Sequence, residues 1–586
     1  MSNKRLFFIS SVALLVSLVF SAAAFAGITK IPGVPDFTPF LVTLSLDAQH
    51  QSEITKIIDN FKKEKKIDKY LSEFKQRTGI NFPDGLLESL KKLSGFTMAV
   101  FLNTSNLSDA PNVLLNASFA SESDAAEFIK LIKNFIYEYE GAQKQANETG
   151  TNKIATKEIE FIEKTDAGIK FSIPVFKSDD KENTFKFFEP RFFTSGNMAG
   201  IFLFRKTNIA ASEKIYQAAL ASFKKDDAIF SNKSFKANFS IIGEDANFFF
   251  YFDGATSKRG AIETGNADAA DLISSISIAA KLSPNFKTVN SKWLIKTGNP
   301  KDKKAQSKTE FVKNIISSSS SSKHISEILP SDTAAFFDIK LNLNEKFLKF
   351  AKPFIDIEKP NIAMMFGITV EEDLLVWLTG EVFGAALTGA PAFYIGFGTK
   401  SAEKTWDFIN KFEKILKIAG APFAFQDDTC AGVKVKTSEL KEMTKYIKDF
   451  KLTLGVAGDN FVLASSKSAF EKLVTVKKET SLSAAERFKS ILNWKPESFV
   501  SLYMDYEQFK PALKESSGPN SSEFQLQPLN KFLKIYSNTA SYSDNLVSGN
   551  AHVEIEPDEF ILEAINILLN SAGVKEIVES LNVKTK

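Results

Sequence analysis

Residues 111–129 read PNVLLNASFASESDAAEFI, and residues 391–409 read PAFYIGFGTKSAEKTWDFI. Pro111, Ser121 and Phe128-Ile129 return as Pro391, Ser401 and Phe408-Ile409 with unchanged spacing. Each stretch runs from apolar residues with strand character into a serine, after which apolar residues recur at helical spacing. The serines stand where helix N-caps belong, so both stretches predict a strand leading into a helix. The correspondence extends outward. Gly79-Ile80, Leu86-Leu87 and Leu90 return as Gly367-Ile368, Leu374-Leu375 and Leu378, and Asp36 followed by Phe40-Leu41-Val42 is matched by Asp332 followed by Phe336-Phe337-Asp338. Downstream, Glu213-Lys214-Ile215 matches Glu471-Lys472-Leu473, Phe235-Lys236 matches Phe488-Lys489, and Tyr251-Phe252-Asp253 matches Tyr503-Met504-Asp505. The order is kept along most of the chain, which predicts an internal duplication with one fold in both halves.

One reading then serves both copies. Each opens on a strand (40–46; 335–341) and a helix (53–63; 345–354), with a short helix at the paired leucines. A hairpin follows (97–102 with 113–119; 382–388 with 393–397), then an amphipathic helix (123–137; 402–418). Further strands fall at 170–175 and 198–204, matched by 432–436 and 452–463, then a helix from Ser212 or Ser468 and a strand at 247–252 or 499–503. A last helix is expected at 558–570. The expected fold class is α+β: two homologous halves, each of antiparallel sheet layers with helices packed on one face.

The expected organisation is a signal peptide at 1–26, a first half at 27–298, a Ser/Lys-rich linker at 299–324 and a second half at 325–586. Lys4-Arg5, the apolar run from Leu6 to Phe20 and the small-residue site Ala24-Phe25-Ala26 form a cleavable export signal, so the mature chain should begin at Gly27 in the periplasm or outside the cell. The apolar run is short of the ~20 residues that span a bilayer, and no other segment reads as a transmembrane anchor. The serine run 317–322 buries too little surface to fold.

Charge and chemistry narrow the function by exclusion. The chain has 586 residues and a net charge of +3, and loss of Lys4 and Arg5 leaves +1, too little field to make nucleic acid a partner. His50, His324 and His552 have no close sequence partners, so no metal site is expected. Cys430 is the only cysteine and lies beside Asp427 and Asp428, which would raise its pKa; it is expected to pack rather than react. No esterase elbow, phosphate loop, dinucleotide fingerprint or calcium loop occurs, and no cofactor is expected. Glu371-Glu372-Asp373 suits the first turn of a helix better than catalysis.

The unusual number is 56 phenylalanines. Those at matched positions read as core. Phe185, Phe187, Phe188, Phe192 and Phe193 lack counterparts, and Phe248, Phe250 and Phe252 make one strand aromatic on both faces. These eight are the candidate residues for an apolar ligand.

Leu329-Pro330-Ser331-Asp332-Thr333-Ala334-Ala335-Phe336, the Gly367-Ile368 and Leu374-Leu375 segment, and Phe488-Lys489 with Tyr503 and Asp505 resemble a bacterial extracytoplasmic family of unknown function whose repeats open in an L-P-x-D-T-x-x-F strand. The first half departs from that opening at Pro35-Asp36-Phe37-Thr38. The resemblance implies a secreted protein with a duplicated α+β fold and carries no activity or site residue. The expected function is that of an exported, non-enzymatic binding or scaffold protein of the bacterial envelope, with an unidentified envelope protein or apolar ligand as partner. The alternative is a periplasmic carrier of a lipid or other apolar ligand, bound by the Phe-rich first half.

Overall fold

A computed structural model describes residues 28–563, apart from 29–30, 79–80, 102–111, 148–158, 167, 177–187, 207–208, 226–227, 244, 255–272, 298–309, 311–315, 317–324, 344–372, 374, 389–391, 419–423, 441–443, 445–449, 492–497, 511–528 and 544. The proposed signal peptide, nearly all of the proposed linker and the expected helix at 345–354 lie outside the described residues. The chain divides into two compact units, Met1–Lys296 with Ile555–Lys586, and Thr297–Glu554.

In unit 1 the elements run β1 (Phe40–Ser45), α1 (Ala48–Lys63), α2 (Asp68–Thr78), α3 (Asp84–Lys91), β2 (Leu93–Phe101), β3 (Asn112–Phe119) and α4 (Glu122–Asn147). Then come β4 (Ile159–Asp166), β5 (Ile169–Phe176), β6 (Phe188–Ser195), β7 (Met198–Arg205), α5 (Ile209–Phe223), α6 (Lys233–Ile242), β8 (Phe248–Asp253), β9 (Ile273–Leu282) and β10 (Thr288–Thr297). The continuous apolar run Phe40-Leu41-Val42 marks a strand covered on both faces, and β1 lies between β2 and β8 with these three side chains buried. The sheet order is β4-β5-β6-β7-β3-β2-β1-β8-β9-β10.

Unit 2 contains α7 (Ile325–Ile328), β11 (Thr333–Lys340), β12 (Leu378–Leu387), β13 (Phe393–Thr399), α8 (Ala402–Ile418), β14 (Gln426–Cys430), β15 (Val433–Ser438), β16 (Leu452–Ala457) and β17 (Asn460–Ala464). It continues with α9 (Lys467–Val474), α10 (Glu486–Lys489), β18 (Ser498–Asp505), β19 (Leu533–Ser543) and β20 (Leu546–Ile555). Its order, β14-β15-β16-β17-β13-β12-β11-β18-β19-β20, follows the same connectivity as unit 1. Every pairing whose register is defined is antiparallel, and the protein is α+β.

Local chemistry sets the element ends. Ser121 accepts from the Asp124 amide at 3.2 Å and Ser401 from the Lys404 amide at 3.3 Å, so α4 and α8 begin at the same point after their strands. Asp47 caps α1 by accepting from the Gln49 and His50 amides. Ala431 and Gly432 both take positive φ, the geometry of a tight hairpin turn, between β14 and β15.

The aromatic residues at matched positions form matched contacts. Phe235 meets Tyr251 edge-on at 5.2 Å in unit 1, and Phe488 meets Tyr503 edge-on at 5.1 Å in unit 2. Phe128 and Phe408 are only half-buried, packed on Phe119 and Trp377. At the first strand the correspondence slips by one residue: Leu41 faces Tyr251 while Phe336 faces Tyr503. A register shift between Thr333 and Ala335 accompanies the slip.

Three expectations are corrected. Helices cover both faces of each sheet, not one. In unit 1, Phe171 and Phe202 pack on Tyr216 of α5, while Ser172, on the other face, bonds to Lys133 of α4. Strands that alternate large apolar groups on both faces need cover on both. Second, the stretch 452–463 is a hairpin rather than one strand, turning at Gly458, which has φ +57°. Third, the described residues 555–563 group with unit 1 rather than with the second half. Ile555 donates to the Lys287 carbonyl at 2.9 Å, and Phe560, Ile561 and Leu562 are buried. No helix among the described residues is long and apolar enough to cross a membrane.

Candidate functional site

A cleft of about 360 Å³ opens in unit 1 between α4 and strands β4 to β6. Its apolar lining includes Ile129, Phe161 and Phe192, and its polar lining includes Lys130, Lys133, Glu163, Lys170 and Ser172. The register explains the assembly. Glu163 stands opposite Ser172, and Ser172 opposite Phe192, so one residue from each of three neighbouring strands faces α4. That volume lies within the range of about 300–1,000 Å³ usual for small-molecule sites.

The polar groups form one network. Lys133 Nζ donates to Ser172 Oγ and, at 3.0 Å, to Glu163 Oε1; Ser172 Oγ donates to the same carboxylate oxygen at 2.6 Å. Lys133 Nζ also lies 5.0 Å from the centre of the Phe161 ring, a cation–π contact. Burial pushes the Glu163 carboxyl up, but the hydrogen bonds from Ser172 and Lys133 and the lysine's charge outweigh it and hold it below its usual value. An anionic, already bonded Glu163 is a weak base, and Ser172 has spent its proton on it.

Unit 2 builds the corresponding place differently. Ala126 and Trp406 lie equally far beyond their caps, as do Ile129 and Ile409, and Lys133 and Glu413. On the hairpins, Glu163 opposite Ser172 corresponds to Asp427 opposite Lys436, and the next strands supply Phe192 and Leu454. Trp406 and Phe425 pack with Ile409 and Leu454 in one hydrophobic cluster. Lys436 Nζ donates to Asp427 Oδ1 at 2.9 Å and pairs with Glu413 Oε2 at 2.7 Å. Unit 1 thus has Ala126 and Ser172 where unit 2 has a tryptophan and a lysine.

Of the eight candidate phenylalanines, the described ones fall in two places. Phe185 and Phe187 lie outside the described residues, and Phe188 is placed only as the first residue of β6. Phe192 and Phe193 line the cleft, each 1% exposed. Phe248, Phe250 and Phe252 are on β8, separated from β6 by β7, β3, β2 and β1; Phe250 packs edge-on against Phe40 at 5.3 Å. Lys133, Phe161, Glu163 and Ser172 were missed by sequence reasoning. The signal that could have found them was the substitution of Ala126 by Trp406 inside the opening pair of matched stretches.

Other singled-out residues sit in bonded or buried settings. Cys430 is buried, its Sγ donating to the Lys467 carbonyl at 3.4 Å, and burial followed by Glu471 pushes its thiol up. His50 bonds to Asp47 at 2.7 Å and is held below its usual pKa by burial. Asp427 and Asp428 pair with Lys436 and Lys467. Among the described residues no group of His, Cys, Asp or Glu is arranged to hold a metal ion.

A family model described as "Protein of unknown function (DUF3352)" matches residues 26–534. No curated protein matches the chain. Among solved structures, crystal form III of TP0453 is 10% identical with a TM-score of 0.22, covering 47% of this chain and 84% of that one. Crystal form IV of TP0453 is 13% identical with a TM-score of 0.20, covering 41% and 95%.

Proposed function

The chain belongs to the DUF3352 family of proteins of unknown function, and on that premise we propose that it is an exported, non-enzymatic binding protein that holds a small apolar ligand in the unit 1 cleft. The observation that carries this reading is the cleft between α4 and β4 to β6, floored by Phe161, Phe192 and Ile129. Export rests on Lys4-Arg5, the apolar run and the Ala24-Phe25-Ala26 site. The absence of turnover rests on the closed Lys133–Glu163–Ser172 network, in which the only serine–lysine pair of the cleft is tied to a carboxylate of lowered pKa. We read the two units, with their shared strand order and caps, as copies of one ancestral unit in which Trp406 and Lys436 stand where the first has Ala126 and Ser172 at its cleft.

The test uses the mature chain, delipidated and then titrated with a fluorescent acyl probe. One saturable site per chain is expected, along with retained lipid in native mass spectra before delipidation. Protein that is folded but takes up no probe would overturn the reading.

A further inference from the structure

We propose that the ligand of this cleft is an amphiphilic anion, a single acyl chain carrying a carboxylate, with its head between Lys130 and Lys170 and its chain over Phe161 and Phe192. The proposal rests on the cleft being a binding site and adds the chemical class of what it takes.

The charge inventory of the lining is the first argument. Three lysines, Lys130, Lys133 and Lys170, share the cleft with one carboxylate, Glu163. Lys133 and Ser172 already occupy Glu163 on one side of the cleft. Lys130 and Lys170 are exposed at its edge, one from α4 and one from β5, so an anion placed there meets cations from both walls. Water solvates both ammonium groups and Lys170 also acts on Glu163; a carboxylate head gains charge-assisted hydrogen bonds from them that a neutral head lacks. Beyond the lysines the lining sets apolar Ala126, Ile129 and Phe161 beside polar Asn134, Glu163, Ser172 and Thr194; with Glu163 and Ser172 already bonded to each other, the apolar side is where a chain would lie. The volume of about 360 Å³ is near the low end for ligand sites and favours one chain over two.

Unit 2 provides an internal control. Ile129, Phe161 and Phe192 keep their apolar character in unit 2 as Ile409, Phe425 and Leu454, so an apolar wall is common to both. What differs is bulk and the polarity of the helix. Trp406 replaces Ala126, Lys436 replaces Ser172, and Glu413 replaces Lys133. Unit 2 supplies its own indole and ammonium to that wall; unit 1 leaves room for a chain and presents a cation from the helix instead of an anion.

Dodecanoate and dodecanol, matched in chain length, are titrated against the delipidated mature protein at low and high salt. Dodecanoate should bind at least tenfold tighter than dodecanol, and salt should narrow the gap because the rim is solvent-exposed. Lys130→Gln combined with Lys170→Gln should remove most of that gap, weakening dodecanoate at least fivefold more than dodecanol. Ala126→Trp, at an exposed helix position where the fold tolerates bulk, should abolish binding of both. Equal affinity for the two probes, lost in Ala126→Trp, overturns the anionic class and leaves the cleft as an apolar site. Binding undiminished in a folded Ala126→Trp variant overturns the cleft as the site, and no binding of either probe overturns both readings.

Discussion

Asp338 shows how far a single side chain can be moved by its surroundings. It is 1% exposed on β11, with Lys340 Nζ 3.6 Å from Oδ2, and Glu381 4.0 Å beyond that ammonium. Burial first and Glu381 second push its carboxyl up to about 7, with Lys340 opposing. An unfolded aspartate releases its proton near its ordinary value of 3.8. Between that pH and about 7 the folded chain therefore holds a proton that the unfolded chain has lost, and stability falls as pH rises. The loss attributable to Asp338 should be on the order of 4 kcal/mol across that window, with no further change above it. Asp338→Asn should flatten this part of the pH profile of unit 2, measured by hydrogen exchange in urea; equal profiles for variant and parent would refute the assignment. The sequence showed an aspartate in a strand, but its charge state depends on groups brought together from β11 and β12.

At the scale of elements, the instructive pair is α4 on its hairpin and α8 on its own. The same three positions form both latches: the outer strand carries an acid in each, Glu163 or Asp427, while the lysine sits on the helix in unit 1 and on the middle strand in unit 2, where Glu413 takes the helix position. Lys436 is 7% exposed in its side chain and Glu413 is 14% exposed, whereas Glu163 is 61% exposed. Lys436→Met should therefore cost unit 2 about 2 kcal/mol, the scale of hydrogen bonds to charged groups. Lys133→Met should cost unit 1 less than about 1 kcal/mol, as for exposed pairs. Thermal melts of both variants check the ranking. Elements with capping serines and apolar periodicity, such as α4, α8 and β1, were legible from their residues. Strands β4, β6 and β14 were not, because sequences such as Gln426-Asp427-Asp428-Thr429-Cys430 have little β character of their own and owe their conformation to the partner strand.

For the whole molecule, the unexpected feature is that the segment 555–563 belongs to unit 1 although it follows unit 2 in sequence. Phe560, Ile561 and Leu562 bury their side chains, and the Ile555 amide bonds to Lys287. Deleting residues 555–586 should accelerate amide exchange in unit 1 and leave the core of unit 2 at its parental rate, with hydrogen-exchange mass spectrometry as the readout. Acceleration confined to unit 2 would show that the segment belongs there.

By itself the sequence determined the α+β character, the paired helix caps, the central apolar strand and the burial of most matched aromatics, because each follows from local pattern and residue type. Tertiary structure alone decided that helices cover both faces, that Phe192 and Phe248 lie in different places, and that a cleft stands open in unit 1. Those outcomes depend on strand order and register, which place Ala126, Ser172 and Phe192 together from distant segments, and no periodicity along the chain encodes that meeting.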